Sequence, residues 1–202
     1  MTTFILCAGR QSRWGPTTIK QLLPVEGEVL INRTVRQVKE VDPKGVVWVV
    51  SHREELANIG HEILVPPARR CTCETILSVS SYWGDYNVVL LGDVYYPDEA
   101  IRDIFTVRNT LTFYGDTGDF FGLSFPDGAS GEVAWGLRDA VLKHSSGKLP
   151  TGPILEMYRS LGCPLHKLWV ISDRTQDFDC EEDYKNFLNG ITKNVMLKRK
   201  AT

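Results

Sequence analysis

The first residues of the chain have the types and spacing of an anion-binding loop. Phe4-Ile5-Leu6-Cys7 is a short apolar run that indicates a buried strand, and Gly9 lets the backbone leave that strand sharply. The turn presents N–H groups rather than side chains, and a concave run of N–H groups favours an anion. Arg13 can fork onto phosphate oxygens, and Lys20 adds a mobile positive charge further along the loop. These residues predict a phosphate-binding site.

A second candidate group follows another buried strand. The run Val88-Val89-Leu90-Leu91 closes on Gly92 and Asp93. In open α/β sheets the carboxyl ends of the strands face the ligand, so we expect Gly92 and Asp93 to face it. A strand-end cap or a turn former is the alternative interpretation of Asp93.

The elements that must position these residues alternate between strand and helix. Apolar residues recur at three- and four-residue steps from Leu30 to Val41, which predicts a helix that ends before Asp42-Pro43. Continuous β-branched runs such as 46–50 are typical of strands buried on both faces of a parallel sheet. Residues 126–131 are interpreted as a loop, and 132–137 as either a strand or the entry to a helix. The other expected strands are 62–67, 88–93, 111–114, 120–125 and 168–171, and the other expected helices are 54–58, 76–83, 97–105, 138–144, 153–161 and one that runs toward Gly190.

Composition limits the class of protein. The 202 residues are 43% hydrophobic and 24% charged, with a formal net charge of -2, which is ordinary for a globular protein and gives no pull toward nucleic acid. The N-terminus lacks the pattern of a signal peptide, and no run approaches the roughly 20 apolar residues that span a bilayer. We therefore expect a cytoplasmic protein with no membrane partner. The Cys71-Thr72-Cys73 sequence is interpreted as reduced structural thiols, because nearby ligands are too few for zinc.

Four motifs, taken together and in this order, resemble those of the nucleotidyltransferases with a GT-A-like fold. The opening Leu6-Cys7-Ala8-Gly9-Arg10-Gln11-Ser12-Arg13 resembles the L-A-A-G-x-G-[ST]-R loop, and Lys20-Gln21-Leu22-Leu23-Pro24-Val25 is similar to its K-x-L-x-P-[VI] continuation. Leu91-Gly92-Asp93 resembles the G-D metal motif. The acidic run from Asp177 to Asp183 looks like the late D-[IV]-D-[ST]-x-E-D motif that precedes a terminal helix.

The resemblance implies a fold and a domain organisation. It implies an α/β, three-layer Rossmann-like (GT-A-like) fold, in which a mostly parallel sheet is flanked by helices. It also implies one domain over residues 1–202, with a nucleotide-binding half at 1–110. Residues 111–202 would then hold the acceptor-binding half and the second metal motif.

The resemblance also implies a reaction. A phosphate of the acceptor attacks the α-phosphorus of a nucleoside triphosphate, and pyrophosphate leaves. Mg²⁺ is the implied cofactor, with Asp93 and Asp179 as its ligands and Asp177 as the rival of Asp179. Lys20, Arg13 and Asp93 are the implied catalytic residues. The implied nucleotide-binding residues are Leu6, Ala8, Gly9, Arg10, Gln11, Ser12, Arg13, Lys20, Arg70, Thr75 and Gly92.

The residues that would bind the nucleobase and the acceptor are less clearly indicated by the sequence. Relatives recognise the base partly through the loop that corresponds to residues 69–75, where Arg69, Arg70, Thr72 and Thr75 are candidates and helix capping is the alternative role of the threonines. Aromatic residues after Asp93 are either acceptor-pocket or core residues: Tyr95, Tyr96, Phe120, Phe121 and Trp135. A sugar 1-phosphate is the preferred acceptor, with Glu132 as a polar neighbour, and phosphocholine is the alternative.

Several alternatives stay open. A cytidylyltransferase or a molybdenum-cofactor type guanylyltransferase has the same opening loop. A GT-A glycosyltransferase also uses carboxylates and a metal, but it needs no Arg13 and Lys20 directed at a triphosphate. Gln11 stands where the family has glycine, which keeps open a nucleotide-binding relative without turnover.

Overall fold

The structure is a computed structural model that describes residues 1–9, 14, 18–116, 119–146, 152–162, 168–171 and 173–190. Four of the expected phosphate-loop residues, Arg10, Gln11, Ser12 and Arg13, lie outside the described residues. The remaining candidate residues are all described. Within this part of the chain, no helix is long and apolar enough to cross a membrane.

The strands and helices alternate along most of the chain. The strands are β1 (Thr2–Leu6), β2 (Pro24–Val25), β3 (Glu28–Val29), β4 (Val46–Val50), β5 (Ile63–Leu64), β6 (Tyr86–Leu91), β7 (Val94–Tyr95), β8 (Thr112–Gly115), β9 (Phe120–Pro126), β10 (Leu168–Val170) and β11 (Gln176–Asp177). The α-helices are α1 (Leu30–Val41), α2 (Glu54–Ala57), α3 (Thr72–Ser78), α4 (Asp98–Ile104), α5 (Ser130–Ser145), α6 (Pro153–Ser160) and α7 (Glu181–Leu188). Short 3-10 helices cover Lys20–Leu22, Ser80–Tyr82 and Asp127–Ala129.

A seven-stranded sheet forms the middle layer, in the order β10-β8-β9-β6-β1-β4-β5. Its central strand β1 is parallel to both β4 and β6, and β5 continues this parallel arrangement beyond β4. Within this sheet, β9 is the one described strand that runs antiparallel to both of its neighbours, β6 and β8. The expected mostly parallel α/β sheet is confirmed, and it takes strands from both halves of the chain.

Two helical layers cover the faces of this sheet. On one face, Ile5 packs with apolar residues of α1 and α4, including Ile31 and Ile101. On the other face, Phe4 and Leu6 pack with residues of α3, α5 and α6. Because both faces are buried, adjacent residues of β1 are all apolar, which explains the continuous apolar runs in the sequence.

Several boundaries differ from the sequence predictions. α3 begins at Thr72 rather than near residue 76, and Cys71 occupies the N-cap position instead of either threonine. The region interpreted as a loop at 126–131 contains a 3-10 helix and the start of α5. α5 then continues through 132–137, so the ambiguity there resolves to helix. The glycine at position 136 within this helix is explained by a tertiary contact, because a Cβ there would lie 2.9 Å from the Leu161 side chain.

Two small sheets were not expected from the sequence. β2 and β3 form an antiparallel hairpin between the Lys20 segment and α1. β7 pairs with β11 in antiparallel register, with Val94 opposite Asp177 and Tyr95 opposite Gln176. The β7–β11 pair joins the segment after Asp93 to the acidic motif that begins at Asp177, so it brings these two parts of the candidate site together.

Candidate active site

The carboxyl ends of three parallel strands bring the glycine loop and the G-D motif together. Leu6 is in register with Val50 on one side and Leu91 on the other. Beyond the register, the N–H of Cys7 donates to the carbonyl of Val50 at 2.8 Å, and the N–H of Gly92 donates to that of Leu6 at 2.9 Å. The loop after β1 and the turn after β6 therefore begin side by side at one edge of the sheet.

The first of these segments is open where a ligand would approach. Gly9 is exposed, and a Cβ built on it would meet no atom within 4 Å among the described residues. Ala8 is buried beneath it. The sequence argument gave Gly9 a conformational role, but its φ is not in the left-handed region. The part of the chain that the structure describes therefore places no atom where a Cβ of residue 9 would lie.

Lys20 and Asp93 form an ion pair across this edge. The Nζ atom of Lys20 lies 2.7 Å from Oδ2 of Asp93, and their side chains are 9% and 29% exposed. The 3-10 helix Lys20–Leu22 holds the lysine, while the turn after β6 holds the aspartate. Two residues that are 73 positions apart in the sequence are thus in direct contact at this edge.

The late acidic motif reaches the same place through β11. The N–H of Phe178 donates to the carbonyl of Asp93 at 3.1 Å, which extends the β7–β11 pairing by one backbone contact. Asp179 follows directly, and α7 begins two residues later with Glu181–Asp183 in its first turn. The carboxylate of Asp183 accepts a hydrogen bond from the N–H of Cys180 at 3.1 Å, which caps the helix. The structure therefore gives Asp183 a capping role and places the backbone of Asp179 beside the Asp93 turn.

Asp93 and Asp179 have the chemistry that Mg²⁺ requires. Both supply hard carboxylate oxygens, and the backbone contact at Phe178 brings their segments together. No group of three or more His, Cys, Asp or Glu side chains arranged to hold a metal occurs in the described residues. A two-carboxylate donor set fits a Mg²⁺ ion that takes its remaining ligands from substrate phosphates and water.

Trp14 is a site residue that the sequence argument did not identify. Its Nε1–H donates to the carbonyl of Phe178 at 2.9 Å, and its ring lies 6.1 Å from that of Tyr184. Both rings contact a small apolar cluster that contains Val25 and Phe178. The first loop is thus attached to the segment between Asp177 and Asp179. Only the aromatic character of Trp14 in a polar loop could have signalled this contact.

Gly92 is required by close packing under the site. A Cβ on Gly92 would lie 2.3 Å from Sγ of Cys7 and 3.0 Å from the carbonyl oxygen of Leu6. Cys7 is fully buried, and burial raises the pKa of its thiol, so the thiol stays protonated. The segments after β1 and β6 therefore contact each other through a glycine and a buried sulfur.

This contact leads to a stability prediction. We expect Gly92→Ala to destabilise the protein by about 1–3 kcal/mol, because the added methyl overlaps Sγ of Cys7. In the double variant with Cys7→Ala the sulfur is absent, so the loss should be smaller than the sum of the two single losses by about 1 kcal/mol. Urea denaturation of the four proteins measures this coupling. Strictly additive losses would contradict the proposed overlap.

The structure gives the segment at 69–75 several internal contacts. Nε of Arg70 donates to Oε1 of Glu74 at 2.7 Å, and this hydrogen bond is the main cause of the lowered pKa of Glu74. The hydroxyl of Thr75 donates to the carbonyl of Cys71 at 3.1 Å, inside the first turn of α3. Thr72 is the first residue of that helix. Thr75 is buried, whereas the side chain of Arg70 is exposed.

The aromatic candidates for the acceptor pocket separate into two groups. Tyr95, Tyr96 and Phe121 are buried, and the hydroxyl of Tyr96 donates to the carbonyl of Phe121 at 2.6 Å. These three belong to the apolar clusters. Phe120 is partly buried and packs against Phe113 and Tyr158, close to the start of β9. The remaining candidates lie on α5, where Trp135 is 55% exposed and Glu132 is exposed too.

A depression of about 490 Å³ lies beyond the carboxyl end of β4, and the sequence argument did not predict it. Its lining residues are His52, Arg53, Glu54, Glu55 and Asn58, so two carboxylates lie beside the imidazole and the guanidinium. Burial, followed by the positive charges of Arg69 and Arg53, lowers the pKa of His52, which favours a neutral imidazole at neutral pH. Nε of Arg53 is buried and has no hydrogen-bond partner among the described residues. The depression therefore offers polar groups of both charges just beyond the carboxyl end of β4.

Solved structures with similar folds include several nucleotidyltransferases. A Bacillus anthracis protein assigned as a glucose-1-phosphate thymidylyltransferase superposes with a TM-score of 0.66 at 15% identity and covers 92% of both chains. A Vibrio cholerae nucleoside-diphosphate-sugar pyrophosphorylase gives 0.59 at 15% identity, over 94% of this chain and 100% of that one. The bifunctional IspDF of Campylobacter jejuni gives 0.60 at 11% identity, over 91% of this chain and 53% of that one. At these identities the likeness shows the fold.

Two sequence comparisons point to the same class. The bifunctional protein GlmU of Buchnera aphidicola is 26% identical over 134 residues, which cover 60% of this chain but 29% of that protein. The chain therefore matches under a third of the length of this relative. Residues 3–114, more than half of the chain, match the family model of the MobA-like NTP transferase domain. The matched segment contains β1, Lys20, Gly92 and Asp93, and the chain belongs to the family of MobA-like NTP transferase domains.

Proposed function

We propose that this protein transfers a nucleoside monophosphate from a nucleoside triphosphate to a phosphorylated small molecule, with release of pyrophosphate. The observation that supports this reaction best is the Lys20–Asp93 ion pair of 2.7 Å at the carboxyl edge of the sheet. A cation for phosphate oxygens and a carboxylate for a metal stand side by side there. Family membership supports the class of reaction, and the Lys20–Asp93 pair supports the place in the structure where we propose that it occurs.

Mg²⁺ is the proposed cofactor, with Asp93 and Asp179 as the residues that would hold it. When bound, the ion would neutralise part of the negative charge that gathers where two phosphorylated substrates meet. The alternative ligand to Asp179 is Asp177, which lies two residues before it in the sequence and pairs with Val94 in the β7–β11 sheet. Adjacent strand residues alternate between faces, so Asp177 and Asp179 share a face only if the extended backbone continues through Phe178.

The residues of the chain position the phosphates and stabilise their charge. An oxygen of the acceptor phosphate forms a bond to the α-phosphorus, while the bond from that phosphorus to the bridging oxygen of pyrophosphate breaks. Because the attacking phosphate is already ionised, no general base is needed. Lys20 stabilises the charge on the transferred group, Gly9 permits close approach of the triphosphate, and Arg13 is proposed to bind the departing pyrophosphate.

We place the nucleobase over β1 and β4, toward the depression at His52. A neutral imidazole can donate one hydrogen bond and accept another, and Arg53 has a buried Nε–H available. In this proposal Arg70 lines the approach from the segment before α3, and the buried Thr75 supports that segment from inside the helix. The charge of Arg70 is already neutralised by Glu74, so it would contribute hydrogen bonds rather than net charge.

A sugar 1-phosphate is the proposed acceptor. Two proteins with the same fold have names that refer to sugar compounds: glucose 1-phosphate for the Bacillus anthracis protein and a nucleoside-diphosphate-sugar for the Vibrio cholerae protein. We place the acceptor side beyond Asp93, toward Phe120 at the start of β9. Of the aromatic candidates for this pocket, Phe120 is the one we retain, since it lies near that end of the sheet and is only partly buried.

Pyrophosphate release tests the proposed reaction directly. The full chain is incubated with Mg²⁺, each common nucleoside triphosphate in turn, and a panel of sugar 1-phosphates together with phosphocholine. We expect release to depend on one triphosphate and one acceptor, and mass spectrometry should detect the matching nucleotide-linked product. Release that depends on phosphocholine alone would replace the sugar phosphate by the alternative acceptor.

Two further outcomes would change the class of activity. Thermal stabilisation by a triphosphate without release under any acceptor would favour a nucleotide-binding protein without turnover, the hypothesis raised by Gln11. Transfer of sugar from a nucleotide-sugar to an acceptor would favour a GT-A glycosyltransferase. Addition of EDTA to an active mixture should abolish release, since Mg²⁺ is part of the proposal.

A further inference from the structure

Glu26 adopts a backbone conformation that disfavours glutamate. It occupies the turn of the β2–β3 hairpin with φ +52°, and Gly27 follows with φ +85°. A two-residue turn with both φ values positive suits glycine and asparagine, whereas longer side chains are less favourable there. A non-glycine residue held in this region calls for a compensating interaction of its side chain.

The carboxylate of Glu26 contacts three side chains. Oε1 accepts a hydrogen bond from the hydroxyl of Tyr95 at 2.8 Å, and Nη2 of Arg33 lies 3.3 Å from Oε2. Nη1 of Arg174 lies 3.8 Å from Oε1. Burial and the hydrogen bond to Glu26 raise the pKa of Tyr95 to about 12, so this phenol remains a donor at neutral pH.

The partners of Glu26 are themselves firmly placed. The side chain of Arg33 is 8% exposed, its guanidinium lies 4.6 Å from the centre of the Tyr95 ring, and its Nη1 donates to the carbonyl of Tyr96. The guanidinium of Arg174 lies 5.1 Å from the centre of the Phe187 ring in α7. One carboxylate therefore joins a buried arginine of α1 to an arginine that packs on the terminal helix.

The segments that meet at Glu26 are those that present the proposed site. Glu26 itself lies six residues after Lys20, Tyr95 lies two residues after Asp93, and Arg174 lies five residues before Asp179. Glu26 and Tyr95 are 69 positions apart in the sequence, and Glu26 and Arg174 are farther apart still. Arg174 also lies over Tyr95, with its guanidinium 5.8 Å from the ring centre, so Glu26, Tyr95 and Arg174 form one cluster that joins all three segments.

We propose that Glu26 is a positioning residue, which holds the segments that carry Lys20, Asp93 and Asp179 in the arrangement that the reaction requires. Glu26 makes no contact with the reacting phosphates in this role. Because this role depends on the transferase activity proposed above, its test needs one readout that requires turnover and one that does not.

The first readout is steady-state kinetics of three variants. Glu26→Gly relaxes the turn but removes the carboxylate, and Glu26→Gln keeps an oxygen for Tyr95 while removing the charge. Glu28→Gln is the matched control, because Glu28 lies in the same hairpin but pairs with the exposed Arg36 at 3.0 Å. We expect kcat to fall about tenfold in Glu26→Gly and less in Glu26→Gln, with KM for the triphosphate within about twofold. Glu28→Gln should match the parent protein.

The second readout follows Trp14 without any reaction. Protein labelled with 5-fluorotryptophan gives separate ¹⁹F resonances, and Trp14→Phe identifies the one that reports the contact between Trp14 and Phe178. We expect this resonance to shift or broaden in Glu26→Gly and to stay in place in Glu28→Gln. The resonances of Trp48 and Trp83, which pack elsewhere, should not change. Preserved melting temperatures of the variants would show that these effects are not due to unfolding.

The two readouts separate the possible failures. An unmoved Trp14 resonance or an unchanged kcat in Glu26→Gly would overturn the positioning role. If the parent protein releases no pyrophosphate with any substrate pair, the proposed function fails, and the Trp14 resonance alone then decides whether Glu26 organises these segments. A shift in that case would support the structural coupling without the proposed reaction.

Discussion

Asp93→Asn is expected to lower kcat/KM for pyrophosphate release by a factor on the order of 10³, because it removes the carboxylate that would hold Mg²⁺ and faces Lys20. The change preserves the shape of the side chain. The backbone carbonyl that accepts from Phe178 is also unaffected, so the β7–β11 pair should remain in place. We therefore expect a folded protein with little activity.

The stability of Asp93→Asn is the necessary control. The ion pair with Lys20 is partly exposed on the aspartate side, with 29% of that side chain accessible, so its loss should cost only about 1 kcal/mol. Thermal unfolding monitored by circular dichroism measures this cost. A variant that keeps its fold and still releases pyrophosphate at the parent rate would overturn the assignment of Asp93 as a metal ligand.

The same assay separates the two candidates for the second ligand. Asp179→Asn and Asp177→Asn are a matched pair, because both aspartates flank Phe178 and both substitutions remove one charge. If Asp179 is the ligand, its variant should require a higher Mg²⁺ concentration for half-maximal rate, whereas Asp177→Asn should stay near the parent value. The opposite order would assign the role to Asp177.

Lys20→Met is the second substitution for which we expect a large effect. Methionine retains the apolar stem of the side chain but removes the ammonium group, so kcat should fall by about 10²- to 10³-fold through loss of charge stabilisation on the transferred group. Lys20 is 7% exposed, and the apolar stem accounts for its fit in that place. We expect the melting temperature to change much less than the rate.

A second lysine and a double variant provide the controls. Lys39→Met removes a lysine whose Nζ donates to the carbonyl of Gly45 at 2.9 Å, next to the amino-terminal end of β4 and so at the edge of the sheet opposite Asp93, and it should leave the rate unchanged. In Lys20→Met with Asp93→Asn, both charges of the pair are absent, so stability should not fall by the sum of the single losses. If Lys20→Met chiefly unfolds the protein while its folded fraction keeps the parent kcat, Lys20 is structural.

Local patterns in the sequence were sufficient for elements that bury a regular face. The helix α1 was predicted with its observed bounds, Leu30–Val41, because its apolar residues follow the helical period and Asp42-Pro43 ends it. The strand Val46–Val50 was likewise predicted in full. α5 was not recognised as one helix, because Trp135 and Leu142 are exposed and Gly136 is present for a contact with Leu161. An element whose face is set by tertiary contacts has no clear period of its own.

The sequence alone determined the family-like motifs, the alternation of buried strands and helices, and the identity of Lys20 and Asp93 as candidates. Only the tertiary structure decided that these two side chains meet at 2.7 Å, that β11 carries the Asp179 segment to the Asp93 turn, and that Trp14 and Glu26 connect the same segments. The physical reason is distance along the chain. A helix or a buried strand is specified by neighbouring residues, whereas two-residue strands and ion pairs between distant residues exist only after the sheet has brought their segments together.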